Sequence, residues 1–218
     1  MTPRAALRID FSSCLLAAIC AFTSGCGLFT RVPEARYEVL DRLGDAGVEL
    51  RRYPAEVWAV TEVEAAFKDA GNKGFRPLFR YISGDNSAGA KISMTTPVSQ
   101  TAGVSIPMTA PVAQSATAAG RFEIGFLVPP DWPSDKIPEP TDPAVRLKRR
   151  DARLMAVLRF SGWGRPSEVE AKEKELLMAV AEHGLRPVGS VVYARFNPPI
   201  TPGFWRRNEV QVEIQETK

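Results

Sequence analysis

The sequence predicts an α+β domain in which two related ββα halves share one pseudo-symmetric sheet and each half lays a helix against it. Three observations carry that reading. Val48-Glu49-Leu50-Arg51-Arg52 returns as Val145-Arg146-Leu147-Lys148-Arg149, an offset of 97 (145 − 48). Ala55-Glu56-Val57-Trp58-Ala59-Val60 returns at the same offset as Ala152-Arg153-Leu154-Met155-Ala156-Val157. A stretch with helical spacing of apolar residues follows each copy. An offset of this length is too long for a solenoid repeat, so it reads as duplication within one domain.

The elements follow in order. Residues 28–35 form a short tether. Residues 37–40 alternate like a strand, as do 48–52. After Tyr53-Pro54, residues 57–60 read as the second strand of a hairpin with 48–52. Residues 65–81 predict a helix with Phe67, Gly71, Gly74, Leu78 and Ile82 on one face. Its two glycines and Pro77 make it weak in isolation, so packing must hold it. Next comes a motif written twice: Lys91-Ile92-Ser93-Met94-Thr95-Thr96-Pro97-Val98, then Ser105-Ile106-Pro107-Met108-Thr109-Ala110-Pro111-Val112. The residue before each proline is driven to extended geometry, and proline donates no ladder hydrogen bond. Both copies are therefore expected as short strands near a sheet edge. Residues 121–128 form a further strand, and 129–143 a proline-rich crossover. The second half repeats the pattern. Its helix, 166–183, opens with proline, serine and glutamate and stops at Gly184. Val169, Glu173, Leu176, Leu177 and Val180 make a mainly apolar stripe on it. Residues 188–196 and 208–214 close the sheet.

The N-terminus reads as a targeting segment. Arg4 and Arg8 form a basic region, and 11–22 an apolar stretch too short to span a bilayer as a helix. Thr23-Ser24-Gly25-Cys26 then sets small residues before a cysteine. This resembles the lipobox of bacterial lipoproteins, which implies lipidation of Cys26 as the first mature residue. The expected organisation is a signal peptide over 1–25, the lipidated cysteine and tether over 26–36, and the folded domain over 37–218. Gly27 stands where an aspartate would imply inner-membrane retention. The resemblance thus implies a periplasm-facing protein of the cell envelope, anchored in the outer membrane. Cys14 and Cys20 lie in the segment to be removed, and the domain itself has no cysteine for a disulfide or thiol nucleophile.

Composition and motifs give little support to catalysis. The net charge is +3, of which +2 lies beyond residue 26, and it is scattered, so nucleic acid is not an expected partner. The single histidine, His183, sits in the last turn of the second helix, where it suits the open carbonyls. No second histidine or cysteine accompanies it for zinc. There is no Gly-x-Ser-x-Gly elbow and no phosphate loop. Acidic residues such as Glu173 and Glu175 read as a solvated helix face. The expectation is a non-enzymatic binding protein without a metal site.

Apolar binding has better support. Phe75 and Phe79, spaced i, i+4, lie on the flank of the first helix's apolar stripe and widen it. Arg76 and Arg80 sit one residue on, and Lys73 joins them. An aromatic wall edged by guanidinium groups suits a flat apolar ligand with carboxylate tails. The alternative is that both phenylalanines belong to the core and the cations are merely solvated. Met94 and Met108 hold matching places in the doubled motif; methionine contacts flat rings well and equally fills irregular core gaps.

The doubled motif, the strand at 122–129, Pro138-Glu139-Pro140-Thr141-Asp142-Pro143, Arg159-Phe160-Ser161-Gly162, Phe79-Arg80-Tyr81-Ile82-Ser83-Gly84-Asp85-Asn86, Tyr193-Ala194-Arg195-Phe196-Asn197-Pro198-Pro199 and Arg206-Arg207-Asn208-Glu209-Val210 together resemble the SOUL haem-binding family. The resemblance covers about 37–214. It implies a distorted antiparallel, barrel-like sheet with pseudo-two-fold symmetry and two long helices. It also implies tetrapyrrole binding against an apolar patch of the first helix, with basic groups near the propionates. By position that patch is Phe75, Leu78, Phe79 and Arg80, with Arg76, Met94 and Met108 beside it. Two further basic positions of the family fall at Asn72 and Thr201, which are not basic, and His183 matches no iron-ligand position. Haem is therefore expected to bind non-covalently and without a strong protein axial ligand. The rival expectation is the same fold binding another apolar ligand or an envelope protein partner. The fold also resembles the effector-binding domains of some transcription regulators, and fold does not fix function.

Overall fold

The computed structural model describes residues 34–44, 47–102, 120–133 and 135–215. Cys26, Met108 and the second copy of the doubled motif lie outside them. Among these residues nine strands and two long helices run in the order β1 (Glu38–Leu43), β2 (Val48–Tyr53), β3 (Glu56–Ala65), α1 (Phe67–Ser83), β4 (Val98–Ala102), β5 (Gly120–Leu127), β6 (Val145–Arg150), β7 (Arg153–Phe160), α2 (Pro166–Glu182), β8 (Arg186–Arg195) and β9 (Asn208–Gln215). A short 3-10 turn, Gly203–Trp205, precedes β9. The fold is α+β, with one antiparallel sheet in the order β1-β2-β7-β9-β8-β4-β5-β3-β6. The sheet is open, with β1 and β6 at its edges.

The duplication is visible in the register. Glu49 pairs with Val157 between β2 and β7. Adding 97 to the first number and subtracting it from the second turns this pair into Arg146 with Val60, which is a pair between β6 and β3. Each half therefore lends its first strand to the second strand of the other. The expected hairpin of 48–52 with 57–60 does not form. Two-residue hairpin turns need a positive φ, and among the described residues only glycines have one. Pro54 and Ala55 cannot make the turn, so β2 and β3 diverge and find partners across the molecule.

Strand alternation divides the interior. Ala59 in β3 faces α1, packing with Leu78, Ile82, Ile124 and Phe126. Its counterpart Ala156 in β7 faces α2, with Val169, Leu176 and Val180. Trp58, Val60, Met155 and Val157 turn to the other side and form their own cluster with Tyr53. That side also holds a buried charge network, in which Arg51 donates to Glu209 at 3.1 Å and Glu209 accepts from Arg207 at 2.8 Å. On α2, Leu176 is buried and Leu177 is exposed, so the stripe is narrower than its sequence implied.

The first copy of the doubled motif also differs from expectation. Ile92, Thr95 and Pro97 are buried and largely irregular, and the strand begins only at Val98. This strand, β4, lies mid-sheet between β8 and β5, not at an edge. Pro97 stands just before the first paired residue and so removes no ladder bond, which is why a proline motif can open a central strand.

Candidate functional site

The candidate site begins with how closely α1 approaches the sheet. Gly74 faces Ile124: a Cβ there would lie 2.5 Å from Ile124 Cγ1. With no side chain at that point, α1 settles onto β3 and β5 and buries Ala70, Leu78, Tyr81 and Ile82. One residue on from Gly74 and Leu78, about 100° around the helix, Phe75 and Phe79 remain 37% and 48% exposed. Their rings stack at 5.5 Å and 15°, and Phe75 meets buried Phe126 edge-on at 5.2 Å. The outcome is a fixed aromatic shelf on the surface of α1, anchored from below by Phe126.

The other predicted residues take different places. Leu78 is fully buried in the core beneath α1 and offers no surface to a ligand; the i, i+4 relation to Gly74 places it on the sheet-facing side. It supports the shelf and is not part of its face. Met94 is partly buried against the same core cluster. Arg80 is not a free cation: its Nη2 donates to Asp142 at 2.6 Å, with Asp85 at 4.0 Å. Arg76 is exposed and makes no ion pair among the described residues. Lys73 donates to the Glu64 carbonyl at 3.3 Å.

Arg80 belongs to a clamp between two of the resembling segments. Tyr81 Oη donates to the Pro138 carbonyl at 2.9 Å, and Thr141 Oγ1 donates to the Asp85 carbonyl at 2.9 Å. Asn86 Nδ2 donates to the carbonyls of Tyr81 and Ala90. Burial, with Glu139 nearby, pushes the Tyr81 hydroxyl up to about 12. The clamp holds the C-terminal end of α1 against the crossover, and with it the orientation of the shelf. A second pair of segments meets where Tyr193 Oη donates to Asn208 Oδ1 and Asn208 Nδ2 donates to the Gly162 carbonyl. These motif residues are structural joints.

The chain matches the SOUL heme-binding protein family over residues 32–213. It belongs to that family. Among curated relatives, Heme-binding protein 1 of Bos taurus is 23% identical over 186 residues, covering 84% of this chain and 92% of that protein. Heme-binding protein 1 of Sus scrofa is 25% identical over 150 residues, covering 68% and 71%. Among solved structures, the EcmrR C-terminal domain superposes with a TM-score of 0.57 at 10% identity, covering 83% of this chain and 99% of that one. A hydrolase from Listeria innocua gives 0.50 at 9% identity, covering 85% and 94%. At such identity these structures share the fold alone.

A tetrapyrrole has a flat apolar face and acidic edges. The stacked, exposed Phe75 and Phe79 fit the face, and Arg76 fits one acidic edge; Arg80, tied to Asp142, fits less well. His183 is engaged at the C-terminus of α2, its Nδ1 donating to the Ala179 carbonyl at 2.8 Å, in keeping with its expected helix-terminal role. Among the described residues no three histidine, cysteine or acidic side chains gather as a metal site. Sequence reasoning missed one feature, a cavity between the N-terminal parts of the two helices. It is lined by Phe67, Gln100, Phe122, Glu173 and Tyr193. The available signal was Glu173 itself, a carboxylate interrupting an otherwise apolar helical stripe. It is half-buried there, not on a fully solvated face.

Proposed function

We propose that this SOUL-family protein is a non-enzymatic tetrapyrrole-binding module that receives the macrocycle non-covalently on the Phe75–Phe79 shelf. The exposed, stacked phenylalanine pair carries the reading, because such a pair left in water on a packed helix is a ready apolar contact for a planar ring. Covering about 200 Å2 of apolar surface is worth roughly 5 kcal/mol before the costs of association. Arg76 meets one propionate, and iron receives no strong ligand from the protein. Haem would supply redox and ligand-binding chemistry; this chain supplies the platform.

Hemin titration of the signal-free domain tests this. A saturable Soret shift at micromolar hemin is expected, and Phe79→Asp is expected to weaken it at least tenfold without lowering the melting temperature by more than a few degrees. Binding indifferent to that substitution would overturn the shelf. The engagement of Arg80 by Asp142 favours a second reading, in which the shelf takes an apolar ligand with fewer acidic groups. Tighter binding of an uncharged porphyrin ester than of hemin would select it.

The proposed setting is the cell envelope, with acylated Cys26 as an outer-membrane anchor and the domain facing the periplasm. The small residues before Cys26 support this. Mass spectrometry of the membrane fraction is expected to find a triacylated N-terminal Cys26; an unmodified mature N-terminus would remove the anchor.

A further inference from the structure

The sheet order places β8 beside β4 at the junction of the two halves. Over that seam lies the cavity between the helices, about 360 Å3 in volume, within the range of small-molecule sites. Three aromatic rings bound it. Phe67, the first residue of α1, stacks on Tyr193 at 5.9 Å and 24° and meets Phe122 edge-on at 6.0 Å and 77°.

One carboxylate in this aromatic wall, Glu173, lacks a partner. Gln100 also lines the cavity, but its Nε2 is committed to the Phe67 carbonyl at 3.2 Å and its Oε1 is buried under α1 beside Gly71 and Arg195. The lysines on either side of Glu173 along α2 are taken: Lys172 pairs with Glu175 at 2.6 Å, and Lys174 with Glu170 at 3.5 Å. The Glu173 carboxylate makes no hydrogen bond or ion pair among the described residues. Burial, with Glu170 beside it, holds its carboxyl above the usual carboxylate range. The nearest cation of the sheet, Arg195, lies over the Tyr193 ring at 5.0 Å and against Gly71 under α1, outside the cavity lining. The helix N-termini already have anionic company, with Asp69 in the first turn of α1 and Glu168 accepting from the Arg165 backbone N–H at 3.1 Å.

An aromatic-walled space with an unpaired carboxylate, a second acidic residue, Glu170, and no cation in its lining is complementary to an apolar cation that carries N–H donors. We propose that this cavity is a second ligand site, separate from the α1 shelf, for a protonated aromatic amine. Its rings pack on Phe67, Phe122 and Tyr193. Its ammonium N–H groups donate to Glu173.

Fluorescence titration with dansylcadaverine tests the proposal, with its N-acetyl derivative as an uncharged probe bearing the same fluorophore. The amine is expected to bind saturably with a blue-shifted emission, at least tenfold more tightly than the acetylated form. Glu173→Gln is expected to erase that preference, whereas Glu170→Gln, at the other carboxylate of the lining, which is paired with Lys174, leaves most of it. Both positions lie on a partly exposed helix face, and their melting temperatures are measured alongside. Phe79→Asp is expected to leave dansylcadaverine binding intact. Equal affinity for the two probes overturns the proposal. So does full retention of the preference in Glu173→Gln, or loss of binding in Phe79→Asp, which would place the probe on the shelf.

Discussion

Neighbouring residues on α1 have opposite fates. Leu78 and Phe79 are adjacent, yet one is sealed in the core and the other stands half in water. The helical advance of about 100° per residue is enough to separate support from surface. Tyrosines show how burial reaches into pH dependence. Burial pushes the Tyr53 hydroxyl up to about 12, with Arg51 opposing and Glu209 adding to the shift; Tyr81 is also pushed up to about 12. An unfolded tyrosine ionises near 10. Below pH 10 both states keep the proton, so this share of stability is fully present. Above 10 the unfolded chain releases it and the folded chain does not, so stability falls as pH rises through 12. The urea midpoint is expected to be flat between pH 8 and 9 and to drop steeply from 10 to 12. Tyr81→Phe should make that drop shallower; an unchanged slope would contradict the burial of this hydroxyl.

At the scale of elements, α1 is held by shape more than by propensity. Gly74 lowers its intrinsic helicity, and replacement by alanine in a free helix would gain about 1 kcal/mol. In the protein the added Cβ meets Ile124 Cγ1 at 2.5 Å and Cβ at 2.6 Å, both on a fully buried, branched side chain. Overpacking of this kind costs about 1–3 kcal/mol. The clash is expected to win, so Gly74→Ala should be net destabilising by chemical denaturation, and it should also lift α1 and disturb the Phe75–Phe126 contact. A more stable variant would mean that the helix rests less closely on the sheet than described. The second helix needs no such glycine; it is capped by Glu168 and packs through Val169, Leu176 and Val180.

For the whole molecule, the exchange of strands makes the two halves interdependent. β2 has β1 and β7 as neighbours, and β3 lies between β5 and β6. Cutting the chain after β5 would leave β3 exposed along one edge and β2 without its long-range partner, and strand edges of that kind are poorly stable and aggregation-prone. A fragment of residues 37–128 is therefore expected to show no cooperative thermal transition by circular dichroism. Mixing it with a fragment of 129–218 should restore one. A cooperative melt from the first fragment alone would mean that each half is a folding unit, contrary to the crossed pairing.

Periodicity, turn residues and the offset of 97 were enough to define the class of fold, both helices, most strands and the existence of two related halves, because these depend on local backbone preferences and on which residues avoid water. The same pattern pointed to Phe75 and Phe79 as a pair flanking the apolar stripe, and left it to the packing of α1 whether they face water or the core. Partner choice was another matter. That β2 pairs with β7, that the proline motif opens a central strand, that Arg80 is spent on Asp142, and that Glu173 faces a cavity with Gln100 all depend on residues tens of positions apart meeting in space. Local sequence carries no distance between such residues. Only the closing of the two halves around the β4–β8 seam creates it, and with it the aromatic-walled cavity that leaves the carboxylate of Glu173 without a partner.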